Sequence, residues 1–458
     1  MRGNLRLVHV AWFATATALA SAAACSDDEQ GQEPAGNDGG SDVQQPPDGG
    51  SPDVTGDQSN PPLDANADAG PKCKTSSCAI AIAAGPFHTC AVLGDHSVKC
   101  WGENKFAELG TGTVVGTTVT PKQSTALVAA AGITDAVAIA AGGEPNTTAF
   151  TCVILAAGSV RCWGSNNAEQ LGPGLDASVS PTGNIVPADA SAASIDLGYR
   201  HGCMVDTTGL VRCWGSNSYK ERGTTALLGA VPLEAGASAV TAGFYSTCAL
   251  AGGSVVCFGY NANGEVNPSS LLTTSGPNVV DAGAPAVGVS AGTNFTCATL
   301  DDAGVSCWGP NIQAQLGRPN AFARNPPGSP AFTPGLAPIS ITASMYHSCA
   351  IMADRGVSCW GSNGRGQSGD FSGRASVTAP NGVGGIGGVA ALVLGYEHSC
   401  ALTENGDVYC WGSNGKGQLG PNTIPVFDGG ADGGDAAAFD AGNGTDTVAH
   451  PDPIKIPL

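Results

Sequence analysis

The chain has 458 residues and a formal net charge of −19, with only 12% charged side chains but 67 glycines and 17 cysteines. So acidic a balance argues against a nucleic-acid partner, because a phosphate backbone needs a basic surface. Apolar runs are short and broken by turn residues throughout, which also argues against a helical domain.

Taken in chain order, Arg2 and Arg6 precede an uncharged run, Leu7 to Ala24, that ends in Ala22-Ala23-Ala24-Cys25. Such a segment is an export signal and takes no part in the fold. Residues 1–25 resemble a bacterial lipoprotein signal. That resemblance implies a lipid on Cys25 and, with Ser26 following, an outer-membrane address in the cell envelope. Secretion after cleavage at Ala24 is the alternative. Residues 26–71 hold eleven acidic residues and no lysine or arginine, a composition that cannot bury a core and reads as a disordered spacer.

Residues 72–458 carry a pattern that occurs seven times: a short strand, a linker, then Cys, nine residues, Cys, aromatic, Gly. The pairs are Cys90/Cys100, Cys152/Cys162, Cys203/Cys213, Cys248/Cys257, Cys297/Cys307, Cys349/Cys359 and Cys400/Cys410, the fourth being one residue shorter. Opening strands are predicted at 79–84, 136–141, 194–197, 239–242, 286–291, 340–343 and 391–394. Each cysteine segment reads as a hairpin with its two cysteines opposite one another. In the last, Glu404-Asn405-Gly406 forms the loop, with Gly406 where a three-residue turn needs positive φ; Gly158 and Gly209 fall at the same place. The short fourth hairpin turns on Gly252-Gly253.

The stretch with Gly395-Tyr396-Glu397-His398-Ser399-Cys400-Ala401-Leu402, then Trp411-Gly412-Ser413-Asn414 and Gly417-Gln418-Leu419-Gly420, resembles the repeat of the regulator of chromosome condensation family. The resemblance extends over 79–458 and implies an all-β, seven-bladed propeller with four strands per blade. A ring of blades leaves only short sheet edges. The final Pro453-Ile454-Lys455-Ile456-Pro457-Leu458 looks like a strand that precedes a repeat opening, so it is expected to pair into the first blade and close the ring. An acidic low-complexity insertion, about 421–450, interrupts the path to it.

With Cys25 set aside, sixteen cysteines remain. Directly opposed cross-strand residues lie within reach of a disulfide, and an exported protein meets oxidising conditions. Seven bridges, one per hairpin, are therefore expected, with a possible eighth between Cys73 and Cys78. Metal is the rival reading, but ligands on seven separate blades do not converge. His88, His201, His347 and His398, each two residues before a first cysteine, read as structural histidines that bond a neighbouring carbonyl. Trp101, Trp163, Trp214, Trp308, Trp360 and Trp411 read as inter-blade packing with the indole nitrogen on backbone. A calcium loop in 428–446 lacks the ligand order such sites need.

No phosphate loop, nucleophile elbow or zinc-protease motif appears, so neither catalytic residue nor cofactor is expected. The function read from these residues is a monomeric, envelope-anchored, non-catalytic scaffold. It would bind a protein or polysaccharide through the variable loops between repeats, chiefly 109–136, 317–339 and the last. An enzyme inhibitor is the second reading and an extracellular glycan hydrolase or lyase the third. The family's nucleotide-exchange activity is not expected outside the cytoplasm.

Overall fold

The computed structural model describes residues 71–73, 75–112, 114–115, 118–119, 122–187, 189–319, 322–421 and 449–458. Cys25, the export signal and nearly all of the 26–71 spacer lie outside these residues, as does most of the 421–450 insertion. The fold is an all-β, seven-bladed propeller of antiparallel sheets. Blade 1 begins with Ala79–Ala84, His88–Leu93 and Val98–Glu103, and Gln123–Ala129 is its outer strand. Blades 2 and 4 to 7 repeat this order. Blade 3 has three strands, Ala192–Leu197, His201–Asp206 and Val211–Gly215, with a single Arg212–Ala230 bridge where the outer strand would be.

The opening strands surround a central channel. They lie at the predicted positions, but those of blades 3, 4, 6 and 7 begin earlier, at Ala192, Ala237, Pro338 and Val389. A register shift explains why. Ala192 faces Asp206 while Ser194 faces Val205, and every blade repeats that bulge at the start of its opening strand. A bulge inserts one residue and breaks the two-residue alternation that marks a strand in sequence.

In all seven hairpins the two cysteines stand directly opposite one another. Cys90 faces Cys100, Cys152 faces Cys162, Cys203 faces Cys213 and Cys248 faces Cys257. Cys297 faces Cys307, Cys349 faces Cys359 and Cys400 faces Cys410. The last loop residue has positive φ in all six longer hairpins: Gly158, Gly209 and Gly406, but also His96 (63°), Ala303 (64°) and Arg355 (63°). A side chain in that region is disfavoured by roughly 1 kcal/mol or more. Ala303→Gly is thus expected to raise stability by about 0.5–1 kcal/mol, read as an upward shift of the denaturant midpoint at unchanged slope.

Ring closure differs from the expectation. The C-terminal strand, Ala449–Ile456, pairs with Val408–Ser413 of blade 7, setting Tyr409 against Lys455 and Cys410 against Ile454. It is the outer strand of the last blade and makes no pairing with the first. An outer strand always precedes the next opening strand, so its sequence looks alike in either role; here the next opening strand is Ala79–Ala84, already in place. Blades 7 and 1 instead meet face to face. Ile82, Leu93 and Trp101 share one buried cluster with Leu402, Leu419 and Ile456. Lys416 lies 3.2 Å from Glu103, and the N–H of Lys72 donates to the Glu404 carbonyl at 2.7 Å.

Candidate functional site

In a four-stranded antiparallel blade the first and third loops emerge at one end, and the hairpin turns at the other. The cysteine hairpins and blade-to-blade connections therefore share one face, and the loops that carry the repeat's Trp-Gly turn share the opposite face with the channel mouth. Two layers of chemistry lie there: a buried belt that locks the blades together, and an aromatic collar above it.

The belt recurs from blade to blade. All six repeat tryptophans are buried, and each indole N–H donates to a Gln or Glu carbonyl of the preceding blade, as from Trp101 to Gln418 at 2.9 Å and from Trp163 to Glu108 at 2.8 Å. Trp214, Trp308, Trp360 and Trp411 bond Gln170, Glu265, Gln315 and Gln367 in the same way. Where a Thr or Ser precedes the first cysteine, its hydroxyl donates to the equivalent carbonyl. Thr89 reaches Gln418, Thr151 reaches Glu108, Thr247 reaches Glu221 and Ser399 reaches Gln367. Blade 3 has Gly202 there instead.

The four histidines join this belt, though through a different partner from the one expected. His88 Nε2 lies 2.9 Å from the Thr151 hydroxyl, and His201, His347 and His398 make the same contact with Thr247, Ser399 and Thr89 of the following blade. Each of those hydroxyls already donates to a carbonyl, so it can only accept from the imidazole. The hydrogen-bonded proton is therefore on Nε2, and burial keeps the rings neutral. They bond a hydroxyl and not a backbone carbonyl because Thr or Ser stands between the ring and the acceptor. Burial holds His88, His347 and His398 at a pKa of about 3 and His201 at about 4. The rings of His88, His201 and His398 sit over glycines: a Cβ at Gly85, Gly198 or Gly395 would overlap them.

Seven equivalent Glu or Gln side chains shape the turn below. Each accepts the N–H two residues earlier, as Glu108 does from Phe106 and Gln170 from Ala168. Gln170 also donates to Ser165 at 3.3 Å, whereas the second oxygen of Glu108 is buried without a partner. Burial pushes the Glu108 carboxyl up to about 8 and the Glu265 carboxyl up to about 7, so below those values each is protonated and stands in for glutamine. A proton held when folded and released near pH 4.5 when unfolded makes stability fall as pH rises between those values. Glu108→Gln should therefore stabilise the protein at pH 7.5 by up to about 4 kcal/mol, three pH units at roughly 1.4 kcal/mol each, its new amide facing Glu103, which occupies the place of Ser165. The gain should vanish below about pH 4.5, as read by thermal melts across that range.

The disulfides complete the scaffold. Blade by blade they join Cys90 to Cys100, Cys152 to Cys162, Cys203 to Cys213 and Cys248 to Cys257. Cys297 is bonded to Cys307, Cys349 to Cys359 and Cys400 to Cys410. An eighth bridge joins Cys73 to Cys78 ahead of the first blade. All fourteen hairpin cysteines are fully buried. Among the described residues no group of three His, Cys, Asp or Glu side chains is placed to hold a metal ion.

The collar is the feature that the sequence reading missed. Of seven tyrosines, six stand on the channel-mouth face: Tyr199, Tyr219, Tyr245, Tyr260, Tyr346 and Tyr396. Tyr199 stacks on Phe244 at 4.4 Å and meets Tyr245 at 5.3 Å, and Tyr219 bridges Tyr245 and Tyr260. Across the mouth Tyr396 contacts Phe87 at 5.6 Å and Tyr346 at 6.1 Å. Of these, Tyr199, Phe244 and Tyr396 line a cavity of about 230 Å³. Burial pushes the Tyr245 phenol up to about 12. The third loops of blades 4 to 6 add exposed Leu271, Leu272, Ile312, Phe322 and Phe371. They are parts of a built surface: Arg324 of blade 5 donates to the Asn261 carbonyl of blade 4 at 2.7 Å. The long segments 109–136 and 317–339 contribute to this face only in part, since each also contains its blade's outer strand, Gln123–Ala129 or Asn325–Gly328.

Fold and belt together define a seven-bladed propeller whose blades are keyed by a repeated Trp, His and Gln pattern. The family profile described as Regulator of chromosome condensation (RCC1) repeat matches residues 79–107, 192–221, 339–367 and 389–418. Four of the seven units thus match the RCC1 repeat. The human E3 ubiquitin-protein ligase HERC2 is 27% identical over 356 residues, a match that covers 73% of this chain but 7% of HERC2. The fold is similar to Prp20p from Saccharomyces cerevisiae (TM-score 0.64, 18% identity, 79% of this chain and 86% of that one). It is also similar to human WBSCR16 (TM-score 0.65, 18% identity, 79% and 95%).

Proposed function

We propose that the protein is a non-catalytic, exported binding module, lipid-anchored through Cys25 in the cell envelope, that docks a partner protein on its channel-mouth face. The carrying observation is the gathering of six tyrosines with Phe87, Phe244 and exposed Leu272, Phe322 and Phe371 on one side of the ring. Tyrosine and arginine dominate the energetics of protein interfaces, and apolar patches of this kind mark docking sites. Similar propellers give support, since yeast RCC1 (Prp20) has been solved bound to Kap60. Sixteen paired cysteines favour an oxidising compartment. The channel wall, mainly small and aliphatic residues with Asp196 as its one carboxylate among the described residues, offers no acid–base pair for chemistry.

A photo-crosslinking side chain placed at Tyr219, and in a second variant at Thr207 on the opposite face, tests the reading in cells that make the protein. Tyr219 should capture one discrete protein and Thr207 should not. Equal capture from both positions, or none from either, would contradict docking on this face.

A further inference from the structure

We infer that Arg200 is the anchor point for a carboxylate that the partner presents at the channel mouth, an aspartate or glutamate side chain within an apolar contact surface. This rests on the protein-docking reading and gives it a chemistry. Arg200 lies in the loop between the first two strands of blade 3, one residue beyond the channel lining. Its guanidinium sits 4.5 Å from the centre of the Tyr199 ring, which itself stacks on Phe244. The backbone beneath is fixed, because the Arg200 carbonyl accepts the Ser216 N–H at 2.9 Å and the Tyr199 carbonyl accepts the Thr148 hydroxyl at 3.2 Å.

Arg200 combines an unused fork with packing over an aromatic ring, whereas Arg374, also without an acceptor among the described residues, is exposed. Arg212 pairs with Asp206, Arg324 and Arg318 donate to carbonyls of neighbouring loops, and Arg365 lies against Glu397. Among the described residues Arg200 has no such acceptor: its Nε is buried without a partner, and no carboxylate stands within ion-pair distance. The nearby Glu144 is engaged by the Thr147 hydroxyl at 2.6 Å. A guanidinium packed over an aromatic ring, with no acceptor of its own, keeps the fork that takes a planar carboxylate in two bonds. Its ring neighbour Tyr199 is uncharged, and the acidic domain, with Glu144 close by, disfavours a polyanion, so a single carboxylate fits where a phosphate backbone does not. The exposed Leu272, Phe322 and Phe371 on the same face favour a polypeptide over an acidic sugar, which has little apolar surface to set against them.

Panning a displayed random dodecapeptide library against the full chain tests this, with the selected peptides then measured on Arg200→Met and Leu272→Ser proteins. Selected peptides should share one aspartate or glutamate among apolar residues. They should bind Arg200→Met at least about tenfold more weakly, an effect of the size a desolvated charge pair gives, while the melting temperature of that variant stays at the parent value. Peptides with no acidic consensus, or with equal affinity for Arg200→Met, would overturn the carboxylate anchor yet leave protein docking intact, provided Leu272→Ser weakens them. An empty selection, or binding on an acidic-glycan array in its place, would overturn both.

Discussion

Removal of residues 449–458 is expected to destabilise the protein by well over about 3 kcal/mol and to make blade 7 the first element to open. The strand Ala449–Ile456 supplies the outer-edge pairing of that blade, and Ile456 is buried in the cluster that spans the junction with blade 1. Its loss exposes the third strand, leaves Leu402, Leu419 and Trp101 with a cavity at their edge, and removes the Lys455–Asp407 pair. Closure by face-to-face packing makes the damage directional. Hydrogen exchange in the truncated protein should accelerate first at 398–403 and 408–413, and then at 79–93. Had the strand been shared with blade 1, exchange would start at 98–103, where an outer strand of that blade pairs. The same truncation therefore measures both the size and the site of closure.

Acid should unfold the protein through its neutral histidines, and replacing them should protect it. Unfolded histidine binds a proton below about pH 6.5, but the folded chain refuses it down to about 3 for His88 and His398 and about 4 for His201. Their contribution is thus complete above pH 6.5 and is lost as pH falls through that window, by roughly 1.4 kcal/mol per unit for each histidine. Glu108, Glu265 and Asp196, pushed up to about 8, 7 and 6, act in the opposite sense above about pH 4.5. The net acid loss should be shallow down to that point and steep beneath it. Blades 2 and 5 carry Phe150 and Phe295 at the histidine position, with Phe295 lying over Gly292 as His88 lies over Gly85. Replacing His88, His201 and His398 with phenylalanine should cost about 1 kcal/mol apiece at pH 7.5 through the lost hydrogen bond. At pH 5 each replacement also removes the roughly 2 kcal/mol needed to keep the ring neutral, so the balance reverses sign. Denaturant midpoints of the triple variant and its parent should therefore cross between those two pH values; parallel curves would show that the rings do not carry the acid sensitivity.

The repeat was legible because each blade solves the same packing problem with the same residues. Cysteines set opposite one another, an aromatic residue and glycine after the second, and a turn glycine in three hairpins marked out strand number, register and disulfide pairing. Even the three longer hairpins without that glycine, Cys90 to Cys100, Cys297 to Cys307 and Cys349 to Cys359, keep the same register, because the bridge and the flanking strands hold His96, Ala303 and Arg355 at positive φ. The bulges were invisible, since one inserted residue at the start of Ala192–Leu197 only looks like a shorter strand. Closure was misread because an outer strand carries no mark of which blade it serves. The histidine partner was missed for a related reason: Thr89, Thr151, Thr247 and Ser399 adjoin their own cysteines in sequence yet serve the preceding blade. The collar left one signal unread. Aromatic residues recur one or two places before the histidine position, at Phe87, Tyr199, Tyr245, Tyr346 and Tyr396, and a strand-to-strand loop at the same place in successive blades must put them on one face. Arg200 had no counterpart in the other repeats, so periodicity could not single it out.

The function proposed for this propeller requires export into an oxidising compartment, with each hairpin cross-linked on its own. A count of reactive thiols on protein taken from the cells that make it, denatured but not reduced, tests that claim most directly. All sixteen cysteines from Cys73 onward pair in the structure, so essentially none should react, and peptide mapping should find each bridge inside one hairpin or between Cys73 and Cys78. Reactive thiols at most of these positions, or bridges that join different blades, would contradict it.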